Sequence, residues 1–399
     1  GILIDMLGGM SKIVSIDETN MTITAQAGCS WKQVYDAAWE AGFLLGSYPS
    51  SFPSATIGGW TSTSGIGIAN YKYGSARDNI RSMKVVIPDG SIVTTGFERV
   101  SDNMSGYNLN HLFVGAEGTL GVICEITFKL TPRPEVLRPI AYSFESLDKA
   151  EGALCEISHS RLTVLHIGFS DANHFKMQNR AGIVDHEFGS IILVALEGYK
   201  TVVDYEETVL DEIMERNGGK KEAPEVGEHE WEERCYEFRC RKVGEVIVPV
   251  HSFAKMTKDV YELMDSMKME GAIIGIMADR NTVMFMPYYV YNSESMSKSV
   301  SSLSFDYQCG ELAKANGGRV LGGFGLFFGS TLSQVRGEGY KIEVGIKKAI
   351  DPEEIMNPGK LLGMETRFGL SVTPEMLGFG MSALSAFKKI MGKDKNFEK

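Results

Sequence analysis

Residues 50–74 read SSFPSATIGGWTSTSGIGIANYKYG, with five glycines, eight serine or threonine hydroxyls and a single cation, Lys72. Such a stretch makes a poor helix interior or central strand, because glycine loses the most backbone freedom on ordering and offers no side chain to pack. It reads as a long loop that presents peptide N–H groups and hydroxyls. That chemistry suits an anion cradled by backbone donors, with no need for Lys or Arg. A surface loop between strands would have the same composition, so the rest of the chain has to separate the two readings.

At 399 residues, two domains are expected. A hydrophobic share of 43% and a charged share of 23% are ordinary for a globular protein. The net charge of −11 disfavours a nucleic-acid partner, which needs a basic face. No apolar run approaches the ~18 residues of a membrane span, and no signal peptide is visible; a cytoplasmic location is expected, with association to a membrane surface left open. The six cysteines, Cys29, Cys124, Cys155, Cys235, Cys240 and Cys309, form no CxxC pair. Reduced, buried thiols are expected, and no metal site.

Up to about Arg133 the chain is rich in strands and glycine. GILID, residues 1–5, reads as a buried strand, and MTITAQAG as another. Ser30 caps a helix over WKQVYDAAWEAG that stops at Gly42. RSMKVVIPDGSIVTTG reads as two strands turning at Pro88-Asp89-Gly90, where Pro presets φ and Gly accepts a positive one. HLFVGAEGTLGVICEITFKLTPRP is a glycine-punctuated loop running into a strand. From about Ile140 helices and strands alternate, with helices stopped at Gly-Gly after both MERN and AKAN. The expected division is 1–134, 135–345, a return segment 346–373 and a C-terminal extension 374–399.

Three stretches together, PSATIGGWTSTSGIGIANYKYG (53–74), LFVGAEGTLGVICEITFKLTPRP (112–134) and IKKAIDPEEIMNPGKLLG (346–363), resemble the vanillyl-alcohol oxidase / p-cresol methylhydroxylase family of flavoproteins. They look most like its branch of D-lactate and glycolate dehydrogenases and alkyl-dihydroxyacetonephosphate synthases. The resemblance implies an α+β, two-domain flavoprotein with a PCMH-type FAD-binding domain and a cap domain for substrate. It implies that Thr56, Ile57, Gly58 and Gly59 meet the FAD pyrophosphate through backbone N–H groups. Pro53, Ser54 and Ala55 lead in; Ser62, Thr63, Ser64 and Gly65 return; Tyr73 and Gly74 close the loop. Glu117, Gly118, Thr119, Gly121 and Val122 run along the flavin, and Asn357 stands near the ring edge. No His or Cys matches the residue that links flavin covalently in some relatives, so non-covalent FAD is expected. The family's first FAD loop precedes the strand that GILID resembles, and the reading expects that loop to lie upstream of Gly1.

The substrate side departs from the pattern. Relatives acting on D-2-hydroxy acids carry HxGDGNxH; here the matching stretch is IMADRNTV, 276–283, with Ile276 and Val283 at the histidine positions. Phe324 in GGFGLF, 322–327, stands where GEHGIG has its histidine. These side chains neither ligate metal nor accept a hydroxyl proton, so metal-assisted deprotonation loses its groups. HIGFSDANH, 166–174, echoes the lost motif but comes too early in the chain and is read as coincidence. The remaining catalytic candidates are Tyr288 and Tyr289 in PYYVY, His251 after VIVPV, and Arg239 in WEERCYEFRCRK. Arg239 or Arg241 resembles the family's clamp on a substrate carboxylate, bidentate by geometry. Packed strand tyrosines, a surface histidine and a solvated ion-paired helix account for the same residues.

Expected partners are a small hydroxy acid, an electron-acceptor protein or quinone, and a second copy of the chain. In the extension, Leu377, Met381, Leu384 and Met391 recur at helical spacing beside Lys388, Lys389, Lys393 and Lys395. A helix packed on its own domain or on another subunit is the first expectation, and one touching a membrane surface or a partner the second. The leading functional expectation is a D-2-hydroxy acid dehydrogenase. An ether-lipid flavoenzyme and a flavin-binding carrier or structural subunit without substrate chemistry stand beside it.

Overall fold

The computed structural model describes residues 1–100, 105–182, 188–233, 241–242, 245–289, 296–321 and 332–362, with a few positions of the tail. The chain divides into two compact units, Gly1–Pro134 with Gly322–Thr373, and Glu135–Leu321 with Pro374–Lys399. The expected boundary at 345/346 falls inside the continuous helix Gly339–Ile350; the second crossing between units lies at 321/322 instead.

The first unit holds a six-stranded antiparallel sheet of β1 (Ile13–Asp17), β2 (Thr22–Gln26), β3 (Phe43–Leu45), β4 (Ile80–Val86), β5 (Ile92–Gly96) and β6 (Val122–Pro132). The order is β1-β2-β6-β4-β5, with β3 added on β6. The β4–β5 hairpin turns where the sequence places it: Gly90 has φ +85°, and Ser91 N–H donates to Asp89 Oδ1 at 2.8 Å. Ser30 caps the helix Trp31–Glu40 in a reciprocal box with Gln33. That helix buries Trp31, Val34 and Ala38, and the Trp31 ring lies 4.8 Å from Trp60 and 5.0 Å from Phe128.

GILID is not a buried strand. Residues 1–5 carry no strand assignment, and Ile2 and Leu3 are 94% and 97% exposed. A strand needs a hydrogen-bonded neighbour; the sheet edge beside β2 is taken by β1, which starts only at Ile13.

The second unit holds a nine-stranded antiparallel sheet of β7 (Val136–Phe144), β8 (His166–Asp171), β9 (Ser190–Gly198), β10 (Lys220–Lys221), β11 (Arg241–Lys242), β12 (Val246–Pro249), β13 (Gly271–Met277), β14 (Thr282–Tyr289) and β15 (Arg319–Val320). The order is β10-β7-β9-β8-β13-β14-β12-β15, with β11 on β14. The apolar run SIILVALEG of β9 is buried along all but its last residue, so both of its faces are covered. The long helices are Lys200–Arg216, Phe253–Ser266 and Met296–Ala315. Asp171, at the end of β8, caps the helix Ala172–Arg180 through the His174 N–H.

Candidate functional site

The three motif segments meet within the first unit. Residues 57–62 form a short helix, Ile57–Ser62, inside the glycine-rich stretch. The 115–121 loop is tied to that helix by two backbone bonds, Gly115 N–H to Thr61 O at 3.2 Å and Glu117 N–H to Ser62 O at 2.9 Å. Arg77 adds a bridge, Nε donating to Ser64 Oγ at 2.9 Å and a terminal nitrogen to Val114 O at 3.3 Å. The return segment joins from the other side, Asn357 Nδ2 donating to Glu117 O at 2.6 Å and Lys347 Nζ to Thr119 O at 2.8 Å.

The backbone is strained where these segments meet. Ser64, Glu117 and Asn357 have φ of +54°, +49° and +43°, a left-handed region that costs a residue with a Cβ free energy and that surrounding structure must hold in place. The bonds from Arg77 and Asn357 do this at Ser64 and at the Glu117 carbonyl. Burial pushes the Glu117 carboxyl above its usual range, against the pull of Lys360.

One expectation is corrected. The Ile57 and Gly58 N–H groups donate to Cys29 O and Ala27 O, and that of Gly59 to Thr56 Oγ1 at 3.3 Å. These three donors are committed within the protein and are not a free nest for pyrophosphate. Several glycines also serve packing. A Cβ on Gly58 would stand 2.7 Å from Ala27 Cβ, on Gly65 2.0 Å from the Trp60 indole, and on Gly121 2.7 Å from Val85. Gly59 and Gly118 differ: a Cβ there would meet only Thr56 Oγ1 at 3.0 Å and the Asn357 side chain at 3.8 Å.

The other predicted cofactor residues fall around this junction. Pro53 and Ser54 are exposed in a turn, and Ala55 O accepts from Trp31 N–H. Thr63 Oγ1 and Thr119 Oγ1 donate to Trp60 O and Ala116 O. Asn79 Nδ2 donates to the carbonyls of Tyr73, Gly74 and Ser75, fixing the loop's closing turn. Val122 opens β6 opposite Val86.

The residues present fit a polar cofactor. Gly59 is exposed and Glu117 and Gly118 are half-buried, so their backbone can be reached from outside, whereas Thr61 is fully buried and closed to a ligand. With the room over Gly59 and Gly118, this offers a place for close backbone approach by a cofactor. Sequence reasoning passed over Arg77, Asn79 and Lys347. Arg77 and Asn79 follow directly on the glycine-rich stretch in GSARDN, which was the available signal. Lys347 carries none beyond its place in the third motif.

The substrate candidates do not come together. Tyr288 and Tyr289 are 1% and 4% exposed and, as neighbours on β14, point to opposite faces. Tyr288 OH shares a 2.6 Å hydrogen bond with His174 Nδ1, while Tyr289 packs against Phe305 at 5.7 Å. His251 is exposed and follows Pro249, which pairs with Thr282 at the other end of β14. Six residues of strand, about 20 Å, separate Thr282 from Tyr288. One substrate therefore cannot use both His251 and the tyrosines. Arg239, Tyr291 and Phe324 lie outside the described residues; β11 puts Arg241 in register with Tyr289. Ile276 and Val283 are buried in β13 and β14. Arg280 in the turn between these strands donates to the carbonyls of Ser158, Ser160 and Leu162. Cys29 and Cys309 are buried free thiols. Among the described residues no cluster of three or more His, Cys, Asp or Glu is set to hold a metal ion, and no helix is long and apolar enough to cross a membrane.

Comparison with known proteins bears on the same segments. Residues 1–96 match the family described as FAD binding domain, and residues 133–361 the family described as FAD linked oxidases, C-terminal domain. The chain is 28% identical over 391 residues to D-lactate dehydrogenase [cytochrome] 1, mitochondrial, of Saccharomyces cerevisiae, covering 90% of this chain and 64% of that protein. It is 26% identical over 387 residues to glycolate oxidase subunit GlcD of Bacillus subtilis, covering 92% and 81%. Among solved structures, p-cresol methylhydroxylase with substrate bound matches with a TM-score of 0.71 at 17% identity, over 88% of this chain and 78% of that one. An alkyldihydroxyacetonephosphate synthase matches with a TM-score of 0.68 at 23% identity, over 89% and 67%. These two likenesses establish the two-domain PCMH-type fold. The chain belongs to the FAD-linked oxidases, flavoproteins whose cofactor is FAD.

Proposed function

We propose that the protein is an FAD-dependent dehydrogenase of small D-2-hydroxy acids, with the flavin held non-covalently. The observation that carries the flavin half is the junction of the three motif segments, with open backbone at Gly59 and Gly118. The substrate half rests on similarity to a yeast D-lactate dehydrogenase and a Bacillus glycolate oxidase subunit. FAD supplies a two-electron acceptor for the C–H of the hydroxy acid. The chain's own residues do the holding. Gly59 and Gly118 admit the cofactor closely, and Arg77, Asn357 and Lys347 fix the loops. The segment around β11, in register with Tyr288 and Tyr289, is our candidate for clamping the substrate carboxylate.

Anaerobic mixing of the purified yellow protein with D-lactate, glycolate and longer D-2-hydroxy acids tests this. Bleaching of the flavin absorbance by at least one acid is expected. A colourless protein removes the flavin half, and an unbleached flavin with every acid removes the substrate half.

A second reading is a flavin-binding carrier subunit without its own substrate chemistry. Ile276 and Val283, buried apolar residues where relatives have histidines, favour it. Reduction of the flavin by a co-purified protein, with no bleaching by the acids, would select it.

A further inference from the structure

Lys347 sits in the last turn of the helix Gly339–Ile350, with its side chain only 12% exposed and that of its partner Asp351 0% exposed. The ammonium is saturated. It donates to Thr119 O at 2.8 Å and Met356 O at 3.0 Å and pairs with the Asp351 carboxylate. Asp351 in turn accepts the Ile355 N–H at 3.1 Å and the Met356 N–H at 2.9 Å. One buried ion pair thus grips both the 355–356 turn leading into Asn357 and the 116–121 loop, 228 residues away in sequence.

Two alternatives explain less. A lysine in the last turn suits the helix dipole, but an exposed lysine would serve that purpose. Buried ion pairs are poor stabilisers compared with packed apolar residues of the same volume, so stability alone gives little reason to bury this one. What the pair does that an apolar pair cannot is hold two carbonyl groups of separate segments at fixed points.

We propose that Lys347 and Asp351 form a latch that positions the 116–121 loop and Asn357 against the flavin, so that cofactor affinity depends on residues that do not touch the cofactor. The latch rests on the flavin reading above and deepens it. Both residues are positioning residues.

The test measures FAD binding to the flavin-stripped full-length protein by quenching of flavin fluorescence. Lys347→Met leaves a buried carboxylate alone and lowers both stability and affinity. The informative variant is Lys347→Met/Asp351→Leu, which removes the lone charge and returns the melting temperature toward wild type. A latch predicts at least tenfold weaker FAD binding in this double variant, with altered visible circular dichroism of the bound flavin. Lys347→Arg, which keeps charge and donors, restores most of the affinity. Binding within twofold of wild type by the double variant overturns the latch while leaving the flavin reading intact. A wild-type protein that binds no FAD overturns both. Should the double variant fail to fold, amide hydrogen exchange on the wild type decides. Added FAD is expected to protect 116–121 and 355–357 together, and protection of the loop without the turn overturns the latch.

Discussion

The two units spend their polar groups differently. In the first, side chains and strained backbone stitch loops together: Arg77 to Ser64, Asn357 to Glu117, Lys347 to Thr119. In the second, polar groups sink into a broad sheet and its helices. Asp171 is fully buried and takes bonds from Tyr261 OH at 2.7 Å, His174 N–H at 2.8 Å and Ile273 N–H at 3.0 Å. Loops that must hold a ligand are kept in place by a few directional bonds, each replaceable at modest cost to the whole. A sheet core is kept by packing, and its buried ionisable groups bear on stability. Cofactor binding should therefore be sensitive to small changes in the first unit and indifferent to large ones in the second.

The largest effects come from the two cores. Trp31→Ala removes a fully buried side chain beside Trp60 and Phe128. Phe285→Ala does the same in the second unit, where Phe285 contacts Phe169 and Phe253 at 5.4 and 5.2 Å. Each is expected to cost about 3–5 kcal/mol in chemical denaturation. FAD titration separates them. Trp31→Ala loosens Trp60, which sits in the helix that the 115–121 loop is bonded to, and is expected to weaken binding. Phe285→Ala leaves the affinity of the folded fraction unchanged. Equal loss of affinity in both variants would erase the contrast between the units.

Asp171 gives the next effect. Burial pushes its pKa from an ordinary 3.8 up to about 6, against the pull of Tyr261 and the backbone donors. The folded state then binds more protons than the unfolded state between those values, so stability falls as pH rises. The contribution is full below about pH 3.8 and lost as pH climbs through about 6. It amounts to about 3 kcal/mol at ~1.4 kcal/mol per tenfold. Denaturation midpoints across pH 4 to 7 should show this slope, and Asp171→Asn should flatten it. FAD affinity should not follow it; if it does, the buried polar network of the second unit reaches the cofactor after all.

How much of this was legible in the sequence follows the same division. The glycine-rich stretch, the Ser30 cap and the Pro88-Asp89-Gly90 turn are local signals, set by backbone conformation and short-range hydrogen bonds. GILID misled because an apolar run says nothing about whether a neighbouring strand exists to pair with it. The N–H groups of Ile57 and Gly58 misled for a related reason: their acceptors, Cys29 and Ala27, are 28 and 31 residues away in sequence, and only the fold brings them near. On the substrate side, Tyr288 and Tyr289 looked alike in PYYVY, but strand alternation sends them to different neighbours. The strand β13 and the helix Ala172–Arg180 escaped the reading altogether. The Asp171 network depends on both.

The smallest predicted effect is the sharpest probe of the first unit. Asn357 is exposed, so its removal opens no cavity and should hardly move the melting temperature. It does two separable things: it holds φ at +43° and donates to Glu117 O. Asn357→Gly keeps the conformation at no steric cost and loses the bond. Asn357→Ala loses the bond and adds left-handed strain of about 1 kcal/mol. A hydrogen bond of this kind is worth about 1 kcal/mol, so FAD should bind roughly fivefold more weakly to the glycine variant. The alanine variant should be weaker again by a similar factor. If glycine matches wild type and alanine alone is weak, the turn's shape matters and its bond to Glu117 does not. If the two variants are equally weak, the bond is the whole contribution.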